Sequence, residues 1–353
     1  MGRVRSSAAL ALAAALVLTG GTATSGPAVA IPEPDRPETS QSPSTPAPAR
    51  ARVDGGARVL AISVDGLNPA AIRRLGPTRA PVLTRLVREG ASTLNARASR
   101  ELTITLPNHT SMVTGRRIAR SSGGHGVTWN DDRAGTTVHR AAGRRVSSVF
   151  SVVARAGGES AVFAGKSKFS LFDRSWPAAV DRSTIATDPV ALVRAARADL
   201  RRAGRELTFL HLALPDKAGH EVGFMSARYL DEVARTDRLL GRVVRTVERT
   251  PALAEHLTLI LTADHGGRGA DHGDRTRLDN FRVPFVVWGR GVTAGDLYAL
   301  NPQRADPGSG RPSYAARRQP VRNGDLANLV TDLLGLRPVP GSEFDDGHDL
   351  VVR

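Results

Sequence analysis

From about Ala57 onward, short uninterrupted apolar runs alternate with longer stretches whose apolar positions recur every three or four residues. Val59–Val64, Ser160–Ala164, Leu207–Leu212, Leu257–Leu261 and Val283–Trp288 have the length and Val/Ile/Leu/Phe content of strands buried on both faces. Between them, Ala80–Glu89, Val146–Ala156, Pro189–Arg202, Arg228–Thr250 and Gly324–Leu334 carry the spacing of amphipathic helices. This alternation predicts an α/β fold, a mostly parallel central sheet with helices on both faces. In such sheets, ligands bind beyond the carboxyl ends of the strands.

The pattern is absent from the first 56 residues. Residues 1–30 read as a signal peptide: Arg3 and Arg5 open it, Ala8 to Leu18 is apolar but too short to span a bilayer, and Ala28-Val29-Ala30 offers a cleavage site. The expectation is an exported, extracellular protein with no stable membrane span after cleavage. Residues 31–56 read as a linker, with six prolines between Ile31 and Arg50 among Ser, Thr and Ala. Residues 57–353 show no second linker and no internal repeat, and read as one domain. With no cysteine in the chain, stability there rests on a core or on bound metal rather than on disulfides.

A net charge of +15 suggests a nucleic-acid partner, but the details point elsewhere. Lys166, Lys168 and Lys217 are the only lysines among 49 basic residues, the arginines are scattered, and aromatics are 4% of the chain. Nucleic-acid modules cluster charge and interleave aromatics. The arginine excess reads instead as codon bias of a GC-rich genome, with no specific nucleic-acid partner.

Acids and histidines cluster at the strand ends. Asp65 comes directly after the first strand, Asp216 and His220 after the run Leu207–Leu212, and Asp264 and His265 after the fourth, while His272 precedes the last. Asp216 and His220, four apart, share one face if helical. Singly, a strand-end Asp is an ordinary helix cap and a His-Gly pair an ordinary turn. Together at one sheet edge, the carboxylates would repel unless one or two divalent ions joined them. The Asp/His mixture favours zinc, or manganese, over calcium or magnesium.

The nucleophile candidate is Thr105, in the segment Leu102 to Gly115. Pro107 suits a first helical turn, which would place Thr105 just before a helix N-terminus with amides free for an oxyanion. A threonine hydroxyl needs a metal or a base to attack; alone, Thr105 would read as a helix cap.

The segment Thr105-Leu106-Pro107-Asn108-His109, ending in Met112-Val113-Thr114-Gly115, resembles the nucleophile segment of the type I phosphodiesterase/nucleotide pyrophosphatase family of the alkaline phosphatase superfamily. His125 to Asn130 is similar to that family's next landmark. Asp216-Lys217-Ala218-Gly219-His220, Thr262 to Gly266, and His272-Gly273 with the strand after it match further elements in order, across 57–353. The resemblance implies an alkaline-phosphatase-like metallohydrolase domain with two divalent ions. One would be held by Asp216, His220 and His272, the other by Asp65, Asp264 and His265 with the Thr105 oxygen. Asn130 and the amide after Thr105 would hold a phosphoryl oxygen, and a phospho-threonine intermediate would be hydrolysed. The interval from His265 to His272 is shorter than in large nucleotide pyrophosphatases, and His348 is the alternative third histidine. A related branch, the phosphonoacetate hydrolases, grips substrate anions with a similar Lys-x-Lys, here Lys166 and Lys168. The neutral Asn130 favours a small phosphate diester or nucleotide substrate; a phosphomonoesterase, a phosphonate hydrolase and a non-catalytic binding protein are the alternatives.

Overall fold

The computed structural model describes residues 56–202, 204–344 and 350–353. The leader, nearly all of the linker, and His348 lie outside the described residues. Eight strands form one sheet: β1 (Arg58–Val64), β2 (Ala91–Arg97), β3 (Ser160–Ala164), β4 (Arg182–Ile185), β5 (Leu207–Leu212), β6 (Leu257–Thr262), β7 (Arg282–Gly289) and β8 (Gly295–Asp296), in the order β4-β3-β5-β1-β6-β7-β2-β8. β1 lies parallel between β5 and β6, in register Ala61↔Phe209 and Ala61↔Ile260. β1, β5 and β6 are buried almost throughout, which is why they read as uninterrupted apolar runs.

The single reversed strand is β7, antiparallel to both β6 and β2. A parallel neighbour needs a crossover, usually a helix spanning the sheet. Between β6 and β7 the chain has only the four-residue helix Leu278–Phe281, so it turns back at the edge it has just left. That short return puts Asp264, His265 and His272 on one side of the molecule.

Helices cover both faces. Pro69–Arg79, Pro81–Glu89, Pro189–Arg202 and Ala227–Arg249 pack as one group. Thr105–Thr114, Val149–Arg155 and Leu326–Leu333 pack as the other. The helix predicted from Val146 starts three residues later because Ser148 caps it, exchanging hydrogen bonds with Ser151. The predicted Gly324 start is a 3-10 turn, Asn323–Asp325, leading into Leu326–Leu333. No helix among the described residues is long and apolar enough to cross a membrane.

Candidate active site

The carboxyl ends of β1, β3, β5 and β6 converge. After β1, Gly66 turns the chain at φ 68, and its N–H donates to Asp264 Oδ1 over 3.0 Å. Tyr229, on the long helix Ala227–Arg249, donates its hydroxyl to Gly66 O over 2.7 Å and accepts from Asn68 N–H over 3.0 Å. After β5, the helix Leu214–Val222 carries Asp216 and His220 on one face. After β6, Asn323 reaches across to donate to the carbonyls of Ala263 and Asp264, both at 3.2 Å.

Five of the six residues predicted from strand ends meet in two overlapping groups. Ligand atoms of Asp65, Asp264 and His265 lie within 4.8 Å of one another, as do those of Asp216, His265 and His272. The rings of His265 and His272 stack at 3.6 Å with planes 9° apart, so His265 borders both groups. His220 completes the second group from the solvent side, its Nε2 3.5 Å from Asp216 Oδ1 and 3.0 Å from His272 Nε2.

Most of these side chains are fixed by one atom and open at another. Asp65 Oδ2 accepts from His211 Nε2 at 2.8 Å, Asp264 Oδ1 from Gly66, and Asp216 Oδ2 from Lys166 Nζ at 2.5 Å. His265 and His272 use Nδ1 on the carbonyls of Gly266 (2.8 Å) and Thr103 (2.5 Å). That leaves Asp65 Oδ1 and Asp216 Oδ1 buried without a hydrogen-bond partner, and Asp264 Oδ2 and His265 Nε2 buried with only each other, 3.1 Å apart and without a well-aligned hydrogen bond. Such orphaned atoms are costly unless something else binds them. Imidazole nitrogens with carboxylate oxygens, each oriented by a second bond, are the donor set and support of a divalent transition-metal ion, so the residues fit.

The electrostatics agree. Burial pushes the Asp65 carboxyl up, but the Lys166 ammonium and the His211 hydrogen bond hold it well below the usual carboxylate range. Burial and the Asp65 charge raise Asp216. Burial pulls His265 down, yet Asp264, Asp216 and Asp65 lift it to about 9. Burial and the neighbouring His265 charge lower His272 to about 3, leaving a neutral ring ready to donate a lone pair.

Thr105 is buried beside these groups. It is the first residue of the helix Thr105–Thr114, which Ile104 precedes without a side-chain cap, rather than the residue before the helix as the sequence suggested. Pro107, two residues on, has no N–H, so it adds no orphan donor to the first turn. Leu106 N–H donates to Asn130 Oδ1 over 2.9 Å, bringing together the two predicted phosphoryl contacts. His109 donates Nδ1–H to Thr105 O and accepts from Ser63 Oγ, both at 2.8 Å, so the Thr105 backbone is tied to β1. Burial depresses His109 to about 4, which keeps it neutral in that role. His125 accepts from Val127 N–H and bonds Ser111 Oγ, pinning the loop that carries Asn130 to the helix Thr105–Thr114.

Of the two predicted substrate lysines, Lys166 lies inside the site. Its Nζ is 2.6 Å from Asp65 Oδ2, 2.5 Å from Asp216 Oδ2 and 3.4 Å from Thr105 Oγ1. Burial alone would lower its pKa, but the Asp65, Asp216 and Asp264 carboxylates raise it, so it stays charged. Lys168 is half-buried and lowered by burial and by Lys166.

Sequence reasoning gave no role to His211, His109, Tyr229, Phe224 or Asn323. His211 did leave a signal: it is a histidine next to the end of the largely apolar run Leu207–Leu212. Phe224 left none. Its ring packs 5.5 Å from both His220 and His272, over Gly219 and Gly267.

The sequence model of the type I phosphodiesterase / nucleotide pyrophosphatase family matches residues 59–320. GPI ethanolamine phosphate transferase 1 of Yarrowia lipolytica is 32% identical over 139 residues, 39% of this chain and 15% of that protein. The Candida glabrata protein of the same name is 33% identical over 136 residues, 36% of this chain and 14% of that one. The chain thus aligns with about 15% of the length of these curated relatives. Murine ectonucleotide pyrophosphatase / phosphodiesterase 5, an inactive variant in complex with AMP, superposes with a TM-score of 0.60 at 14% identity, covering 80% of this chain and 96% of that one. The human counterpart gives 0.56 at 14% identity with the same coverage. At these identities the likeness is one of fold, and the fold is alkaline-phosphatase-like. The match of the family model over most of the domain makes this chain a member of the type I phosphodiesterase / nucleotide pyrophosphatase family.

Proposed function

We propose that the chain is a two-metal phosphodiesterase that acts through Thr105. The observation that carries this reading is the set of orphaned atoms on Asp65, Asp216, Asp264 and His265, gathered beside a threonine at a helix N-terminus. Asp65, Asp264 and His265 with Thr105 would hold one ion, and Asp216, His220 and His272 the other. When bound, such ions lower the pKa of a hydroxyl and neutralise charge on a departing oxygen. Zinc suits the donor set best, with manganese second.

The chain's own residues supply the rest. The bond from His109 fixes the Thr105 carbonyl, and Oγ1 stands 3.4 Å from Lys166 Nζ among the two carboxylate groups. Its attack forms a P–O bond as the ester oxygen leaves. Asn130 Nδ2 would donate to the phosphoryl oxygen on which charge builds, joined by the Leu106 amide once it is released from Asn130 Oδ1, an oxyanion arrangement. Water then cleaves the phospho-threonine, releasing the phosphate monoester and restoring the Thr105 hydroxyl. A neutral Asn130 suits a monoanionic diester, and the AMP carried by the murine neighbour is consistent with a nucleotide among the substrates.

The decisive assay compares bis-p-nitrophenyl phosphate with p-nitrophenyl phosphate on zinc-loaded enzyme, with Thr105→Ala as control. Faster diester cleavage, abolished in Thr105→Ala, is the expected result. Full activity in Thr105→Ala would refute the covalent mechanism, and a preference for the monoester would make the chain a phosphomonoesterase.

The similarity to the ethanolamine phosphate transferases supports a second reading, in which an alcohol rather than water takes the phosphoryl group from Thr105. Product partition in the presence of an added alcohol separates the two. The leader read over 1–30 supports a site outside the cytosol; the N-terminal sequence of exported chain, expected to begin at Ile31, tests that.

A further inference from the structure

Lys166 stands at the end of β3, where sequence resemblance gives it a substrate anion to grip. Its ammonium instead touches two carboxylates that belong to different metal groups, Asp65 of the first and Asp216 of the second. In both it takes Oδ2, and in both Oδ1 is the orphaned atom. Lysine and metal therefore divide each carboxylate between them without competing for an oxygen. The same segment fixes the remaining partner: Gly165 N–H donates to His211 Nδ1 over 3.1 Å, and His211 Nε2 donates to Asp65 Oδ2. The third neighbour of the ammonium is the attacking atom, Thr105 Oγ1, at 3.4 Å.

We infer that Lys166 is a positioning residue that clasps the two metal groups together and faces the Thr105 oxygen, and that gripping a substrate anion is not its role. This rests on the two-metal reading proposed above and deepens it. Each carboxylate, with Oδ2 bonded to the ammonium, presents one oxygen to an ion, and the spacing between the groups follows from one Nζ reaching both. The clasp has a consequence that a substrate-gripping lysine lacks. A positive charge 2.5–2.6 Å from the ligand carboxylates repels a divalent ion bound to the same groups. Lys166 thereby weakens metal binding while stabilising negative charge on Thr105.

The test is calorimetric titration of chelator-stripped full-length protein with Zn2+ alone, alongside diester kinetics, on wild type, Lys166→Met and Lys166→Arg. Lys166→Met is expected to bind Zn2+ about tenfold tighter or more, because two carboxylates lose their cation. Its kcat is expected to fall about 100-fold with KM within about threefold, the pattern of an interaction made with the reacting oxygen rather than with bound substrate. Lys166→Arg keeps the charge and is expected to stay near wild type in Zn2+ affinity. Unchanged or weaker Zn2+ binding in Lys166→Met, with raised KM and intact kcat, would overturn the clasp and return Lys166 to the substrate. If Lys166→Met fails to fold in a thermal melt, Lys166→Gln takes its place. Should wild type cleave neither ester, the proposed activity fails, while the Zn2+ titration still reads the clasp.

Discussion

His211 Nε2 donates to Asp65 Oδ2 over 2.8 Å, wholly inside the protein, with Gly165 N–H fixing the tautomer from the other side of the ring. In the proposed two-metal site, a buried imidazole so placed would orient the Asp65 ligand without touching the metal. Losing such a partner typically lowers metal affinity about 10–100-fold. His211→Phe keeps an aromatic ring against Phe169, whose centroid is 4.2 Å away, while removing the donor to Asp65. We expect this variant to fold and to lose one ion first to a competing chelator, from the Asp65 group. Metal retention equal to wild type would show that Lys166 alone suffices to orient Asp65.

That His211 escaped sequence reading shows what strand patterns carry. Runs such as Leu207–Leu212 and Ser160–Ala164 were legible to the residue because burial on both faces favours apolar residues at most positions. β2, Ala-Ser-Thr-Leu-Asn-Ala-Arg, was not: it is bulged between Thr93 and Ala96, and its buried Arg97 is satisfied by carbonyls of Asn95, Ala96, Gly308 and Gly310. β4 lies on the sheet edge, largely exposed, and β8 is two residues long. Site residues at strand ends follow from the topology of parallel sheets, so Asp65, Asp264 and His265 were within reach. Partners that arrive from elsewhere in the chain, such as Asn323 beneath Asp264 or Tyr229 beneath Gly66, carry no local mark.

Gly219, in the Asp-Lys-Ala-Gly-His element, is glycine because a Cβ there would stand 2.4 Å from the Phe224 ring. That ring is wedged against His220 and His272, so it cannot retreat without moving them. Gly219→Ala should destabilise the protein by about 1–3 kcal/mol through overpacking. It should also loosen the ion at the Asp216 group, read as metal content after dialysis beside a thermal melt. A variant with unchanged stability and two ions per chain would show that Phe224 is free to shift.

His272 lies in the stack with His265 and within 3.6 Å of Asp216 Oδ1, whereas His348 lies outside the described residues. The geometry around His272 predicts that His272→Ala retains one ion per chain and that His348→Ala retains two. The reverse result by elemental analysis would hand the third histidine position to His348.

His265 gives the pH dependence its sign. Burial disfavours its charge, but Asp264, Asp216 and Asp65 together raise its pKa from 6.5 to about 9. At pH 7.5 the ring is therefore an imidazolium, and only the neutral ring can ligate a metal. Binding must expel that proton, so metal affinity should climb roughly tenfold per pH unit through neutrality and level off above pH 9. His272, lowered to about 3, is already neutral and adds nothing to this slope. Calorimetry in two buffers of different ionisation enthalpy at pH 7.5 should show about one proton released from His265 as the first ion binds. Heat independent of the buffer would mean that His265 is neutral before the metal arrives, and that the three carboxylates direct their charge to Lys166 instead.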